Sequence, residues 1–294
     1  MSLVWRVNPG LPRFVVEKSH TMSEPLSQTG KRFGFGKNWR RFLGVLDEER
    51  IAEAEKSLRR MLGPEGLRGK SFLDVGSGSG LFSLAAARLG ARRVHSFDLD
   101  PDSVACTEEL TRRYRPGMEN WTIERGSVLD EKHLASLGQF DLVYSWGVLH
   151  HTGDMWRALE AVASRVAPGG QLFIAIYNDQ GLISKAWRVI KRTYNAGWPG
   201  RILVTGTFVP IFIARGLGAD LLRGRSPLRR YRDYKRQRGM SIVHDWLDWL
   251  GGYPFEVAKP DEIIEFYRRR AFSITRIERR HRLGNNEFVF VREG

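Results

Sequence analysis

The stretch FLDVGSGSG at residues 72–80 sets a carboxylate, Asp74, and three closely spaced glycines, Gly76, Gly78 and Gly80, at the end of a short apolar run. Phe72, Leu73 and Val75 read as the end of a buried parallel strand, and glycines placed there let the backbone turn tightly and approach a ligand with no Cβ in the way. Residues 81–89 resume as an Ala-rich helix whose unpaired N-terminal amides face the same ligand. The spacing separates two kinds of guest. A dinucleotide fingerprint needs G-x-G-x-x-G, but here the third glycine comes one residue early and Leu81 fills its place. Residues 94–98 read as a second strand ending in Asp98, 18 residues past Gly80 (98 − 80), where such folds accept hydrogen bonds from ribose hydroxyls. The pair describes a nucleoside without a diphosphate.

Three more segments follow in order: RGSVLD at 125–130 after a third strand, FDLVYSWGVLHH at 140–151 as a fourth, and RVAPGGQLFIAIYN at 165–178 leading into a fifth. With the glycine loop and Asp98, they make the chain resemble the class I S-adenosylmethionine-dependent methyltransferases over about residues 46–177 and again at the C-terminus. The resemblance implies S-adenosylmethionine as cofactor. By resemblance, Asp74 and the backbone of Gly76, Gly78 and Gly80 hold its methionine and ribose side, Asp98 takes the ribose hydroxyls, and Ser127 and Val128 lie against the adenine. Many relatives carry an acidic residue where Ser127 stands, and Asp130 is the nearby substitute. Ser145 and Trp146, ending the fourth strand, are where relatives pass the amino-acid moiety and open to the acceptor; Trp146 reads equally well as a core anchor.

A sulfonium methyl is already activated, so the protein must hold an acceptor lone pair in line at about 3–3.5 Å and remove a proton where the acceptor carries one. Neither a metal nor a covalent intermediate is required, and with one cysteine and no Cys/His ligand spacing no metal site is expected. Histidine is the usual base for a hydroxyl acceptor. His150 and His151 follow the fourth strand, at the carboxyl edge of a parallel sheet where ligands bind. Their alternative role is to help cap the helix after Thr152-Gly153-Asp154. His244 and Asp245 lie in an aromatic stretch, MSIVHDWLDWLGGYPFE at 240–256, and are the other candidates.

The elements that must position these residues alternate strand and helix from 71 to 176, which forces parallel strands and right-handed crossovers. The fold class is therefore α/β: a doubly wound, mostly parallel seven-stranded sheet with a C-terminal antiparallel pair, strands 272–278 and 287–291 joined by a turn at Gly284-Asn285-Asn286, and a helical lid insertion. The family resemblance puts that pair at the sheet's edge. A helix over residues 47–62, with Ile51, Ala54, Leu58, Met61 and Leu62 on one face, covers the sheet. The domains so read are an irregular arm and cofactor-covering segment at 1–45, the cofactor domain at 46–177 plus 258–294, and an inserted basic and aromatic substrate lid at 178–257.

Charge is concentrated in that lid. Residues 178–240 hold 14 Lys or Arg against Asp179, Asp220 and Asp233, +11 of the formal +14. An acidic partner follows: an anionic or amphipathic small molecule, a membrane surface or nucleic acid. The run ILVTGTFVPIFIA at 202–214, too short for a bilayer span of about 20 residues and broken by Pro210, reads as a buried lid helix, with an element in a membrane interface as the alternative. Peripheral membrane contact would run through 201–238. A methyltransferase acting on a small or lipid-like acceptor through O, S or N is the leading reading. An RNA methyltransferase is the second, supported by the basic tract and by the likeness of GVLHHTGDMWRAL to enzymes acting on tRNA wobble uridine, and weakened by the lack of a recognisable RNA-binding module. A non-catalytic cofactor-binding protein is the third. A single cysteine and no secretion-signal pattern lead to a cytoplasmic expectation, peripheral at the inner face of the membrane under the lipid reading.

Overall fold

The computed structural model describes residues 34, 36–44, 46–114, 119–224, 226, 242–280 and 284–294. The first 33 residues of the arm and the Arg-rich stretch 227–241 lie outside the described residues.

Among the described residues one seven-stranded sheet runs in the order β3-β2-β1-β4-β5-β7-β6. Strands β1 (Ser71–Val75), β2 (Arg93–Asp98), β3 (Trp121–Arg125), β4 (Phe140–Trp146) and β5 (Val166–Tyr177) are mutually parallel. β1 is buried at every position and β4 along most of its length, as strands covered on both faces must be. One covering layer holds α2 (Glu48–Leu62) and α3 (Leu81–Arg88) beside α4 (Pro101–Tyr114); the other holds α5 (Glu131–Leu137) and α6 (Met155–Ala163). In α2, Asp47 caps the first turn by accepting the Arg50 N–H, and all five residues placed on its apolar stripe are buried. The order reverses between β1 and β4, so the crevice beyond their carboxyl ends is where a ligand is expected in an open sheet of this kind.

The C-terminal pair forms one edge of the sheet, as expected, with β7 (Asn285–Arg292) antiparallel between β5 and β6 (Phe272–Glu278) and β6 outermost; it differs from expectation at its turn. Phe288, Val289 and Phe290 are buried, which suits an interior strand. The residues assigned to a turn, Asn285 and Asn286, instead open β7. Asn286 is buried, accepts the Arg280 N–H and donates to the Asn178 side chain, so its amide ties three segments together rather than turning the chain.

The insertion leaves and re-enters at neighbouring points: Ala258 donates to the Tyr177 carbonyl and accepts from the Asp179 N–H. Between them stand α7 (Leu182–Asn195), α8 (Trp198–Leu222) and α9 (Ile242–Gly251), packed through a small aromatic core in which Trp187 meets Phe208 and Trp249, and Phe212 meets Trp246. The apolar run at 202–214 is the middle of α8, a helix of 25 residues that continues through Pro210. The short-run reading is corrected: by length and composition alone α8 could cross a bilayer, with a mean hydropathy of 1.7 in its most apolar window. The buried-lid reading is corrected too, since only 6% of that window is buried.

Asp154 precedes α6 but makes no side-chain cap. That work falls to Glu256, about a hundred residues away, whose carboxylate accepts the Gly153 N–H at 3.0 Å and the Met155 N–H at 3.2 Å. Burial raises its pKa even though both amides favour the anion. Glu256→Ala is expected to cost about 1–3 kcal/mol in urea denaturation, with Glu256→Gln recovering part of the loss through its carbonyl oxygen. Equal stability of Glu256→Ala and the parent would show that the cap contributes nothing.

Candidate functional site

At the β1–β4 reversal lies a cavity of about 520 Å³, within the range of cofactor pockets. Its walls bring together Asp74, Gly76, Gly78, Asp98, Ser127, Val128, Trp146 and His151 of the residues singled out from sequence. The glycine loop is held by the second strand. Gly78 donates its N–H to Asp98 Oδ2 at 2.9 Å, and Asp98 Oδ1 takes the Asp100 N–H at 2.9 Å. Burial nonetheless raises the Asp98 pKa, the two amides opposing it. Gly76 and Gly78 have φ of +80° and +57°, and a Cβ on Gly78 would stand 2.9 Å from the Trp39 ring.

Asp74 is buried at the end of a polar chain whose proton directions are forced. The Trp121 indole can only donate, and it donates to Ser96 Oγ at 2.9 Å. Ser83 Oγ gives its single proton to Asp74 at 2.5 Å, so across the 2.7 Å contact between the two hydroxyls Ser96 is the donor. Burial raises the Asp74 pKa to about 7, with the Ser83 bond opposing and Asp98 reinforcing. Folded Asp74 thus holds a proton that an unfolded carboxyl gives up near its ordinary 3.8, so its contribution to stability is present below pH 3.8 and is lost as pH rises toward 7.

Three sequence candidates do not reach the cavity. Gly80, φ +77°, begins α3, and its missing Cβ makes room for Thr107 of α4 rather than for a ligand. Ser145 is fully buried and donates to the Val75 carbonyl at 2.9 Å, pinning β4 to β1. His150 is fully buried, its ring 4.0 Å from that of Tyr177, and burial holds its pKa far below the usual value. His244 and Asp245 fall within the α9 backbone, and their side chains lie outside the described residues. Asp130 is no substitute at the adenine side either: it caps α5 by accepting the Lys132 and His133 N–H groups. Trp146 is 43% exposed, which removes the core-anchor reading.

His151 differs from its neighbour. It lines the cavity, and its Nδ1 lies 2.6 Å from the Pro254 carbonyl. A carbonyl only accepts, so Nδ1 carries the hydrogen and the basic nitrogen is Nε2. Burial pushes its pKa down to about 4, against the Pro254 bond and with help from Lys191. Tyr177 and Tyr253 complete this end; burial lifts the Tyr177 phenol to about 12, so it stays neutral. Behind them Lys191 is fully buried, donates to the Trp249 carbonyl and sits 4.2 Å from the Trp249 ring centroid; loss of solvation lowers its pKa to about 7.

Sequence reasoning missed several wall residues. Trp39, on α1 (Gly36–Leu43), roofs the glycine loop, and Gly36 donates to Asp100 to fix that helix. The aromatic-rich KRFGFGKNWRRFL was the signal, without a way to choose among its rings. Tyr144 and Asn285 also line the cavity, and the Tyr144 hydroxyl and the Asn285 carbonyl oxygen are buried with no protein partner among the described residues. Two unpaired polar atoms, a buried carboxyl and a glycine cradle in one cavity fit a polar nucleoside ligand carrying an amino-acid tail. Among the described residues no group of metal-ligating side chains accompanies them.

A family model for a methyltransferase domain matches residues 46–223. A ubiquinone biosynthesis O-methyltransferase of Methylobacterium sp. (strain 4-46) is 33% identical over 146 residues, 48% of this chain and 53% of that protein. A ribosomal protein L11 methyltransferase of Methylococcus capsulatus is 33% identical over 109 residues, 37% of this chain and 34% of that protein. The chain thus spans about half or less of the length of these curated relatives. The structure of magnesium protoporphyrin IX methyltransferase from Synechocystis PCC 6803 with bound SAH aligns with a TM-score of 0.52 at 16% identity, over 87% of this chain and 94% of that one. N-methyltransferase NodS from Bradyrhizobium japonicum WM9, in complex with S-adenosyl-L-homocysteine, aligns at 0.50 and 13% identity, over 89% and 100%. At these identities the likeness is one of fold.

Proposed function

Since the chain belongs to the class I S-adenosylmethionine-dependent methyltransferases, we propose that it moves the methyl group to a small apolar or amphipathic acceptor held beneath the insertion. The observation that carries this reading is the continuous cavity running from Asp98 and the glycine loop to His151, Tyr177 and Tyr253. Bound S-adenosylmethionine supplies an already electrophilic methyl, so no further activation of the donor is needed. In this reading Asp98 takes the ribose hydroxyls, Leu99 and Val128 flank the base, and Asp74 with Tyr144 meets the amino-acid end. An ammonium there would favour ionised Asp74 and release its proton on binding. Trp146 and the aromatic rings of the insertion exclude water and orient the acceptor.

His151 Nε2 receives the acceptor's proton. An imidazole with a pKa of about 4 is neutral at working pH and a weak base. That weakness is tolerable for a hydroxyl or thiol, because the proton becomes strongly acidic as the new bond to carbon forms. The charge of the basic insertion supports an acceptor that is anionic or amphipathic and a peripheral contact with an anionic surface. The +11 stretch also suits RNA, the second reading.

Incubation with methyl-labelled cofactor and cell extract, followed by separation into organic-soluble, volatile, RNA and protein fractions, tests the assignment. Label in the organic-soluble fraction is expected. Label confined to RNA or protein overturns the small-acceptor reading, and no label in any fraction favours the non-catalytic one.

A further inference from the structure

We propose that the outer face of α8 docks this protein onto an anionic lipid bilayer, with the helix lying along the surface. The inference deepens the reading of a lid over an amphipathic acceptor and rests on it only for the partner's purpose; the docking itself stands on the geometry of α8. One face of the helix is committed to protein. Val204, Phe208 and Phe212, four residues apart, pack toward α7 and α9. The opposite face is an exposed stripe at i, i+4, i+7, i+11, i+14 and i+18, comprising Leu203, Thr207, Pro210, Ala214, Leu217 and Leu221. Leu203 is 63% and Leu221 72% exposed. No charged side chain occurs between Arg201 and Arg215, so no charge interrupts the stripe there. A stripe of this length facing water is a cost that a partner must offset.

Charge decides between partners. Arg201 precedes the apolar run, Arg215 and Arg223 are exposed beyond it, and Arg225, Arg229, Arg230, Arg232, Lys235, Arg236 and Arg238 follow in sequence. A second copy would bring two +11 stretches, residues 178–240 of each chain, together, whereas an anionic surface neutralises them. The packing on α7 and α9 decides between modes. A helix with a protein-facing side that carries the lid cannot be encircled by lipid, so α8 lies in the interface with only its outer face among the acyl chains. Thr207 weakens the stripe little, because its hydroxyl donates to the Leu203 carbonyl at 2.8 Å. The insertion whose Tyr253 lines the cavity's acceptor end thereby rests on the membrane, which gives a membrane-dissolved acceptor a path to His151.

The test uses the full chain and vesicles of phosphatidylcholine, alone or with phosphatidylglycerol at roughly the anionic fraction of a bacterial inner leaflet, read by co-sedimentation. Binding to the anionic vesicles, weakened about tenfold or more on passing from low to ~0.5 M salt, is expected. Leu203→Glu with Leu217→Glu and Leu221→Glu should reduce partitioning by ~100-fold or more, each buried leucine being worth about tenfold. S-adenosylhomocysteine affinity, measured in parallel, should be unchanged and so reports that the variant is folded. Vesicle binding equal in the parent and the triple variant overturns the proposal. So does a parent that ignores anionic vesicles and sediments as a dimer which the triple variant dissociates, or one that retains only tRNA. Because the readout is lipid binding rather than turnover, it fails or succeeds independently of the acceptor assignment.

Discussion

His151→Ala is expected to lower turnover by about 10²- to 10⁴-fold while leaving S-adenosylhomocysteine affinity nearly unchanged, the signature of a lost general base. His150→Ala should behave in the opposite way. Its ring is fully buried against Tyr177, so the loss is one of packing, about 2–4 kcal/mol of stability, with turnover of the folded fraction within about tenfold of the parent. The pH profile carries the sign. Burial lowers the His151 pKa to about 4, so the neutral, proton-accepting form persists through the acid range and kcat/KM should fall only as pH drops toward 4. The same two histidines reduce stability in acid: the unfolded chain binds protons near pH 6.5 that the folded chain refuses, so stability falls as pH drops from there toward 4. An acid limb near the ordinary histidine value, or a loss smaller than tenfold in His151→Ala, would mean that the reaction proceeds by proximity or through another base.

The parallel half of the fold was legible because each signal in it is local. The strand–helix alternation, the α2 stripe and the glycine loop each rest on signals within one turn or one strand, and β2 begins and ends within a residue of 94–98, where the sequence pattern puts it. β7 was not legible in the same way. Asn285 and Asn286 have turn chemistry in isolation, and only the bonds of Asn286 to Asn178 and Arg280 hold them in a strand. α8 failed for a related reason. Counting only the uninterrupted apolar run stopped at Arg215, yet one arginine on a helix leaves the register of the other faces intact, and Pro210 costs a hydrogen bond without ending a helix held by Phe208 and Phe212.

At the site, residues whose backbone does the work were easier to find than residues that act through position. Gly76, Gly78 and Asp98 stand at intervals set by the turn after one strand and the end of the next, so sequence spacing alone locates them. His150 and His151 are adjacent and chemically identical, and what separates them is which side of the chain meets the cavity, decided by the Pro254 carbonyl about a hundred residues later. Lys191 reads in sequence as one more cation of a basic insertion. Nothing local to α7 reveals that Trp249 and Phe255 enclose it.

Gly78→Val should weaken S-adenosylhomocysteine binding by about 30-fold or more, the largest effect expected at the cofactor end. Three causes act together. The residue sits at φ +57°, where a β-branched side chain is strained. Its Cβ meets Trp39 at 2.9 Å, so either the roof or the loop must move. Movement of the loop pulls the Gly78 N–H away from Asp98, depriving that buried carboxylate of a backbone donor and leaving the Asp100 N–H to hold it. Asp98→Ala removes the anchor alone and should cost about 5- to 30-fold, and NAD should compete with neither variant nor parent. Gly80→Ala is the discriminating control. Its Cβ would press on Thr107, 2.7 Å away and outside the cavity, so it should lower stability while the folded protein keeps its affinity within about threefold. Calorimetry that finds Gly78→Val and Gly80→Ala equally impaired in binding would show that the loop acts as one rigid unit and that Gly78 has no special closeness to the ligand. Unchanged binding in Asp98→Ala would remove the ribose assignment from that carboxylate.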